Sequence, residues 1–307
     1  MTRRRAGFTL VELLMSMTIG VVVITAATSF SMSSWKTRRA WTVRESVDRN
    51  ARFVGMSIAR DAQEAGIAIE NTPTFGTIGS FGDTLSILSV PFTPAEAPVY
   101  PIYNDGDTLP NYPPGGNCGT TCIEFMQQGG TFQLAAGDLV RLQIGSTRRL
   151  LYLTSAVAST SGRFRVNFLP MQRLLGRAAG LDSVLLTRSG TTIQKLKAVV
   201  YWRDAATNTL MRAERFNGSA APIGTAVATS TMEFRTSVIF IGNREAASYS
   251  GLDTDTLNDG NDLIGLRVRA RIQSDRTDPS VNNGQPTSRW YDWRVAPRNL
   301  MYEKNRS

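Results

Sequence analysis

Apolar positions crowd into the start of the chain and then settle into two different periods. Phe8 to Phe30 is a run of 23 residues with a single charge, Glu12. As a helix rising 1.5 Å per residue it would span roughly 35 Å, enough to cross the hydrocarbon of a bilayer. A carboxylate one turn into such a segment costs roughly 2.5–3.5 kcal/mol on insertion scales, so Glu12 asks for a partner. Beyond the run, Val47, Ala51, Val54 and Ile58 recur at i, i+4, i+7 and i+11, one apolar face of a helix. Arg44, Arg49, Arg52 and Arg60 lie largely off that face. No proline precedes Pro73, and Gly66 is a stop signal. The pattern predicts one helix over 8–66 with 8–30 membrane-spanning. The alternative is two helices with a break near Ser29–Ser34.

From Asn71 the periodicity dissolves. Eight prolines fall between Pro73 and Pro114, among many Gly, Asn and Asp residues. The stretch 67–120 therefore reads as a proline-rich irregular insertion with one strand, Leu85–Val90. After Cys122 come short apolar runs bounded by Gly, Ser and Thr: Ile123–Met126, Leu139–Ile144, Leu150–Leu153, Phe164–Phe168, Val184–Thr187 and Ile193–Trp202. The last of these runs into Asn208–Arg212 as a hairpin. Met232–Ile241, Leu263–Ile272 and Trp290–Val295 follow. A helix before 66 and strands after 80 make the class α+β: a long N-terminal helix packed on an antiparallel β-sheet head over 121–307.

Composition narrows the chemistry. The 307 residues are 42% apolar, enough to build a core, and carry a net charge of +9, which suits polyanions. There is no histidine, so a Ser-His-Asp triad, a Cys-His pair and a His-ligated zinc site are excluded. Cys118 and Cys122 are the only cysteines, too few for a four-cysteine zinc site. Their spacing, C-G-T-T-C, is not that of a C-x-x-C redox pair. In an exported domain they would form a local disulfide that pins a turn.

The start of the chain, Arg3-Arg4-Arg5 and then Gly7-Phe8-Thr9-Leu10-Val11-Glu12, resembles the processing site of type IV prepilins and type II secretion pseudopilins. The resemblance implies that residues 1–7 are a leader, cut between Gly7 and Phe8 by a membrane peptidase that then N-methylates Phe8. It also implies that Glu12, the fifth mature residue, pairs with the N-terminal amine of a neighbouring subunit. An acid in apolar surroundings gains from such pairing. Lys36, Arg38 and Arg39 follow the span, so basic residues flank both its ends. A periplasmic head therefore rests on the resemblance rather than on the charge rule. A proline that is frequent in the family at the position of Ser29 is absent here.

The hairpin VVYW…NTLMR (Val199–Arg212) and Arg298-Asn299 are similar to features of the W-type minor pilins (PilW-like). That likeness implies a pilin-like fold and a structural, non-enzymatic role in the complex that primes or caps a filament. The implied partners are the prepilin peptidase, other minor pilins, the major pilin and the inner membrane, with later residence in the pilus fibre. Two alternatives stay open. One is a type II secretion pseudopilin, although the large tip member of that group commonly lacks the acid at Glu12. The other is a tip binding module, an adhesin or a DNA-capture subunit.

Two constellations could hold a ligand. Asp253, Asp255, Asp259 and Asp262 surround Gly260 in a loop that suits calcium, as comparable acidic loops do in several pseudopilins and minor pilins. It departs from an EF-hand at Leu257 and Leu266, and a solvated turn is the other reading. No cofactor is required. In Leu263–Ile272, alternation places Arg267, Arg269 and Arg271 on one face and Leu266, Val268, Ala270 and Ile272 on the other. With Trp290, Tyr291 and Trp293 nearby in sequence, this stripe could take DNA or a surface polyanion, with steep salt dependence. Otherwise it is a solvent-facing strand whose aromatics join the core.

Overall fold

The computed structural model describes residues 9–91, 98–103, 108–109, 122–127, 132–158, 162–175, 184–185, 190–248, 258–279 and 281–300. Helix α1 (Leu10–Gln63) is continuous over 54 residues, so the break expected as an alternative at Ser29–Ser34 does not occur. Hydroxyls around that stretch bond back to carbonyls four residues earlier, Thr25 to Val21 at 2.7 Å, Thr28 to Ile24 at 2.9 Å and Thr37 to Ser33 at 3.0 Å. These residues therefore add no competing turn. The helix stops three residues short of Gly66, which adopts φ +79° in the left-handed region that glycine enters without strain.

The chain divides into two units, Met1–Arg49 with Gln273–Ser288, and Asn50–Ile272 with Arg289–Ser307. In the first, α1 exposes Leu10, Val11, Leu13, Leu14 and the apolar residues that follow, and buries Val43, Ser46 and Val47 near its end. The segment 273–288 closes on itself, with the Ser274 N–H donating to Thr287 O (2.8 Å) and the Thr287 N–H to Ser274 Oγ (3.1 Å).

The second unit holds the sheets. The strands are β1 (Ile78–Phe81), β2 (Thr84–Ser89), β3 (Val99–Pro101), β4 (Thr108–Leu109), β5 (Cys122–Met126), β6 (Leu139–Ile144), β7 (Thr147–Ala158) and β8 (Arg163–Pro170). They continue with β9 (Val184–Leu185), β10 (Thr191–Asp204), β11 (Thr209–Phe216), β12 (Pro222–Ala228), β13 (Thr231–Phe240), β14 (Arg244–Ala246), β15 (Leu263–Gln273) and β16 (Ser288–Val295). The stretch 67–120 is thus not loop apart from one strand. It carries β1, β3 and β4 as well: β1 and β3 contain Gly, Ser or Pro, and β4 is two residues long, so an apolar-run criterion passes over them.

Ten strands form one sheet in the order β1-β2-β10-β6-β7-β8-β5, with β3 and β11 also on β10 and β12 on β11. Strand β10 is the spine. Its first half pairs with β6 and β3, and its second half with β2 and β11, all antiparallel. A four-stranded sheet, β14-β13-β15-β16, and the pair β4-β9 complete the set. Tyr100, Ile123, Phe125, Val140, Leu151, Phe168 and Ile193 centre one core cluster.

Within this unit the last turns of α1 lie on the sheet. Ala51, Val54, Ile58 and Ala62 are at most 2% exposed. Burying a Val or Ile side chain contributes about 1.5–3 kcal/mol, so this stripe holds the helix down. The chain then leaves the helix directly into a strand ladder, with the Gly66 N–H donating to Leu88 O (3.1 Å) and the Val90 N–H to Ile67 O (3.0 Å).

Candidate functional site: the helix start and the helix seat

The start of α1 is closed by a reciprocal cap. The Glu12 carboxylate accepts from the Thr9 N–H (3.2 Å) and from Thr9 Oγ1 (3.1 Å), while the Glu12 N–H donates to Thr9 Oγ1 (3.3 Å). This T-x-x-E capping box satisfies helix-end donors that would otherwise go unpaired in an apolar environment. Sequence reasoning gave Glu12 a partner in another subunit and overlooked the one three residues away. The signature was present in the spacing of Thr9 and Glu12. Gly7 and Phe8 lie outside the described residues.

From Leu10 onward the helix is long and apolar enough to cross a membrane, and the chain buries none of its most apolar 18-residue window. An uncovered surface of this kind needs either lipid or other helices.

The other end of the helix is seated by a buried polar cluster. Asp61, 3% exposed, accepts a hydrogen bond from the Tyr201 hydroxyl (2.5 Å) and one from Arg212 Nε (2.6 Å). Because Tyr201 gives its proton to Asp61, Ser57 Oγ, 2.9 Å away, donates to the Tyr201 oxygen. Arg212 also reaches Glu214 (2.6 Å). Burial, and then the bond to Asp61, push the Tyr201 hydroxyl well above its ordinary value. Burial pulls the Arg212 guanidinium down, but its bonds to Asp61 and Glu214 outweigh this and hold it raised. Nearby, Lys197 pairs with Glu64 (2.7 Å), and Asn299 Nδ2 donates to the Ala65 carbonyl (3.1 Å) at the helix end.

Tyr201 and Arg212 come from the VVYW…NTLMR hairpin, and Asn299 from the Arg298-Asn299 pair. Sequence reasoning singled out these segments by strand pattern and likeness; in the structure Tyr201 and Arg212 bond Asp61 of α1, and Asn299 bonds Ala65 just past its end. Asp61 was missed. Its signal was an acid seven residues after Val54 and three after Ile58, on the apolar face itself.

The arginine strand alternates as its sequence requires. Leu266, Val268, Ala270 and Ile272 are buried, and the arginines take the opposite face. Arg267 does not stand alone there. Its Nε donates to both Asp292 oxygens (2.8 and 3.0 Å), a second nitrogen also bonds Asp292, and a third bonds both Glu245 oxygens (3.0 Å each). Arg267 holds the Asp292 carboxyl below its usual value. Arg271 lies 3.4 Å from Glu233, which Arg235 also binds at 2.7 Å. Arg269 sits opposite Arg235 in the β13–β15 register. Of the aromatics, Trp290 is 45% exposed, whereas Tyr291 and Trp293 stack with ring centres 5.9 Å apart.

Of the acidic loop, Asp259 and Asp262 are described, and Asp253 and Asp255 lie outside the described residues. Asp259 is buried, and the Asp262 N–H donates to its carbonyl (3.0 Å). Among the described residues no three acidic, cysteine or histidine side chains converge as metal ligands. Cys122 is buried and disulfide-bonded, and Cys118 lies outside the described residues.

Residues 2–28 match the family model of the prokaryotic N-terminal methylation motif. The match covers Arg3–Arg5, Gly7, Phe8, Glu12 and most of the apolar span, in register with the capped helix start. It supports a type IV pilin-like or pseudopilin protein that is processed by a prepilin peptidase, anchored through α1 and associated with pilus components. The match does not extend into the head. No curated protein and no solved structure matches the chain.

Proposed function

We propose that this chain is a W-type minor type IV pilin, a structural, non-catalytic subunit of the complex that primes or caps a pilus. The observation that carries the reading is the methylation motif at residues 2–28, which runs across the capped start of an uncovered apolar helix. On this reading prepilin peptidase cuts between Gly7 and Phe8 and methylates Phe8. The helix then holds the protein in the inner membrane with the head in the periplasm, and Glu12 pairs with a neighbouring amine as the subunit enters the fibre. The large β head suits a tip position beside other minor pilins and the major pilin better than a repeating one. Calcium at Asp253, Asp255, Asp259 and Asp262 belongs to the same proposal, and a rise in thermal stability on adding calcium, abolished by chelator, would support it.

The deciding experiment is the N-terminal mass of the protein isolated from its own membranes. A chain beginning at N-methylated Phe8 is expected. A chain beginning at Met1 or Thr2 in cells with active peptidase would overturn the reading. Loss of surface filaments on deletion separates a minor pilin from a secretion pseudopilin, whose deletion would block export instead. Filaments that form but no longer bind DNA or surfaces would favour the capture role. That role is the weaker one here, because Arg267 is already held by two carboxylates.

A further inference from the structure

The helix surface just beyond the apolar span is organised differently from the span itself. Between Glu12 and Glu45 there is no acidic residue, and the four cations Lys36, Arg38, Arg39 and Arg44 fall within nine positions. Trp35 and Trp41 interleave with them, 66% and 69% exposed, and Met32 is 68% exposed. Met32, Trp35, Lys36 and Arg39 are neighbours at helical spacing and border one shallow concavity of about 260 Å³. Of the acids near the four cations, Asp278 lies 3.8 Å from Arg39, and Glu45 follows Arg44 directly in the chain.

The spacing fits a bilayer. Leu10 to Phe30 covers about 30 Å of helix axis, the thickness of a hydrocarbon core. Trp35 and Lys36 then fall about 8–9 Å past its edge, and Arg38 and Arg39 about 12–14 Å past it. The headgroup layer adds only about 5–8 Å, but long Arg and Lys side chains reach back toward it along their apolar stems. Ser29, Ser31, Ser33 and Ser34 fill the crossover with small polar groups. Tryptophan prefers this depth because its ring is apolar and its N–H is polar.

We propose that Lys36, Arg38 and Arg39, with Trp35, form a binding site for anionic phospholipid headgroups at the membrane surface. The site fixes how deeply α1 sits in the bilayer before assembly. A neighbouring helix could cover the apolar residues, but it would not explain three exposed cations, Lys36, Arg38 and Arg39, with one acid, Asp278, beside them. Anionic headgroups supply that complement directly, at up to about fivefold in affinity per cation at low salt.

The inference rests on the membrane-anchored reading, and its test does not depend on processing or on pilus formation. The full-length protein is reconstituted in bilayers containing spin-labelled phosphatidylglycerol or phosphatidylcholine, and the fraction of motionally restricted lipid is compared. The intact chain is expected to hold phosphatidylglycerol several-fold more strongly, and the preference should fall with salt. In the Lys36→Gln/Arg38→Gln/Arg39→Gln variant it should drop toward parity. As a second readout, lipids brominated near the headgroup should quench Trp35 more than lipids brominated at the chain end, with Trp35→Phe as the reference. Equal retention of both lipids by the intact chain would overturn the proposal. So would a preference that the triple variant keeps. If the protein is never cleaved at Gly7 but the lipid preference is present, the pilin reading fails and this one stands.

Discussion

The indole of Trp293 lies directly against Gly55 on α1, where a β-carbon would overlap its Nε1 atom. Glycine inside a helix normally costs about 1 kcal/mol relative to alanine. Here it lets strand β16 approach the helix closely enough for an indole to lie on the backbone. Gly55→Ala should therefore destabilise the protein by about 1–3 kcal/mol, the cost of overpacking outweighing the gain in helix propensity. In a Trp293→Val background the sign should reverse, and Gly55→Ala should stabilise by up to about 1 kcal/mol. Thermal unfolding of the four proteins in one detergent closes the cycle. Simple additivity would disprove the contact.

Asp61 predicts a larger effect. Removing one member of a buried charge pair strands the other, at about 3–5 kcal/mol. Asp61→Ala should show a loss of that order, and Tyr201→Phe a smaller one of about 1.5–3 kcal/mol for a hydrogen bond to a charged group. The raised Tyr201 hydroxyl adds a pH signature. The unfolded chain loses this proton near pH 10 while the folded chain keeps it. The stabilisation is therefore complete below about pH 10 and is lost as pH rises from there toward the folded-state value, with a limiting slope of about 1.4 kcal/mol per pH unit. Tyr201→Phe should flatten that alkaline slope in denaturant titrations taken between pH 9 and about pH 11. An unchanged slope would mean the hydroxyl is not held as described.

Much of this was legible in the chain, for reasons particular to each element. Val47, Ala51, Val54 and Ile58 repeat at the helical period, so both the helix and its buried face could be read directly. Leu139–Ile144 is apolar enough that its predicted limits are those of β6. By contrast, β12 (Pro222–Ala228) is an edge strand held only by β11, and its half-exposed sequence lacks an apolar alternation. The Gly55–Trp293 contact and the Asp61 cluster join residues some 140 to 240 positions apart, and local period carries no information about such partners. Glu12 is a different case. Its local partner is legible in the T-x-x-E spacing alone.

Arg267 ties β15 to its neighbour β16 through Asp292 and, across β13, to β14 through Glu245, so its substitution should weaken the sheet and not polyanion affinity. Arg267→Gln should lower thermal stability. It should also remove an acid dependence. The Asp292 carboxyl is held below its usual value by Arg267, so the stabilisation is present above about pH 4 and is lost as pH falls through the lower folded-state value. The variant should show less of that acid loss. If the head binds duplex DNA at all, Arg269→Gln should reduce affinity and shallow the salt slope, because Arg269 makes no ion pair among the described residues and lies exposed. A larger loss from Arg267→Gln than from Arg269→Gln in filter binding would reverse this assignment.

Glu12 caps its own helix, and the proposed function would give it a second role, a charge for a neighbouring amine. Glutamine at the third helical position can still accept from the Thr9 N–H and complete a capping box, so Glu12→Gln keeps the first role and removes the second. Thr9→Val does the reverse, weakening the cap by about 1 kcal/mol while leaving the carboxylate. If the charge drives assembly, Glu12→Gln and Glu12→Ala should both abolish incorporation into surface filaments, and Thr9→Val should retain it. N-terminal mass should show cleavage after Gly7 in all three, because the peptidase acts before assembly. If Glu12→Gln assembles normally and Glu12→Ala does not, the carboxylate serves the helix alone. The amine of Phe8 must then find its counter-charge elsewhere.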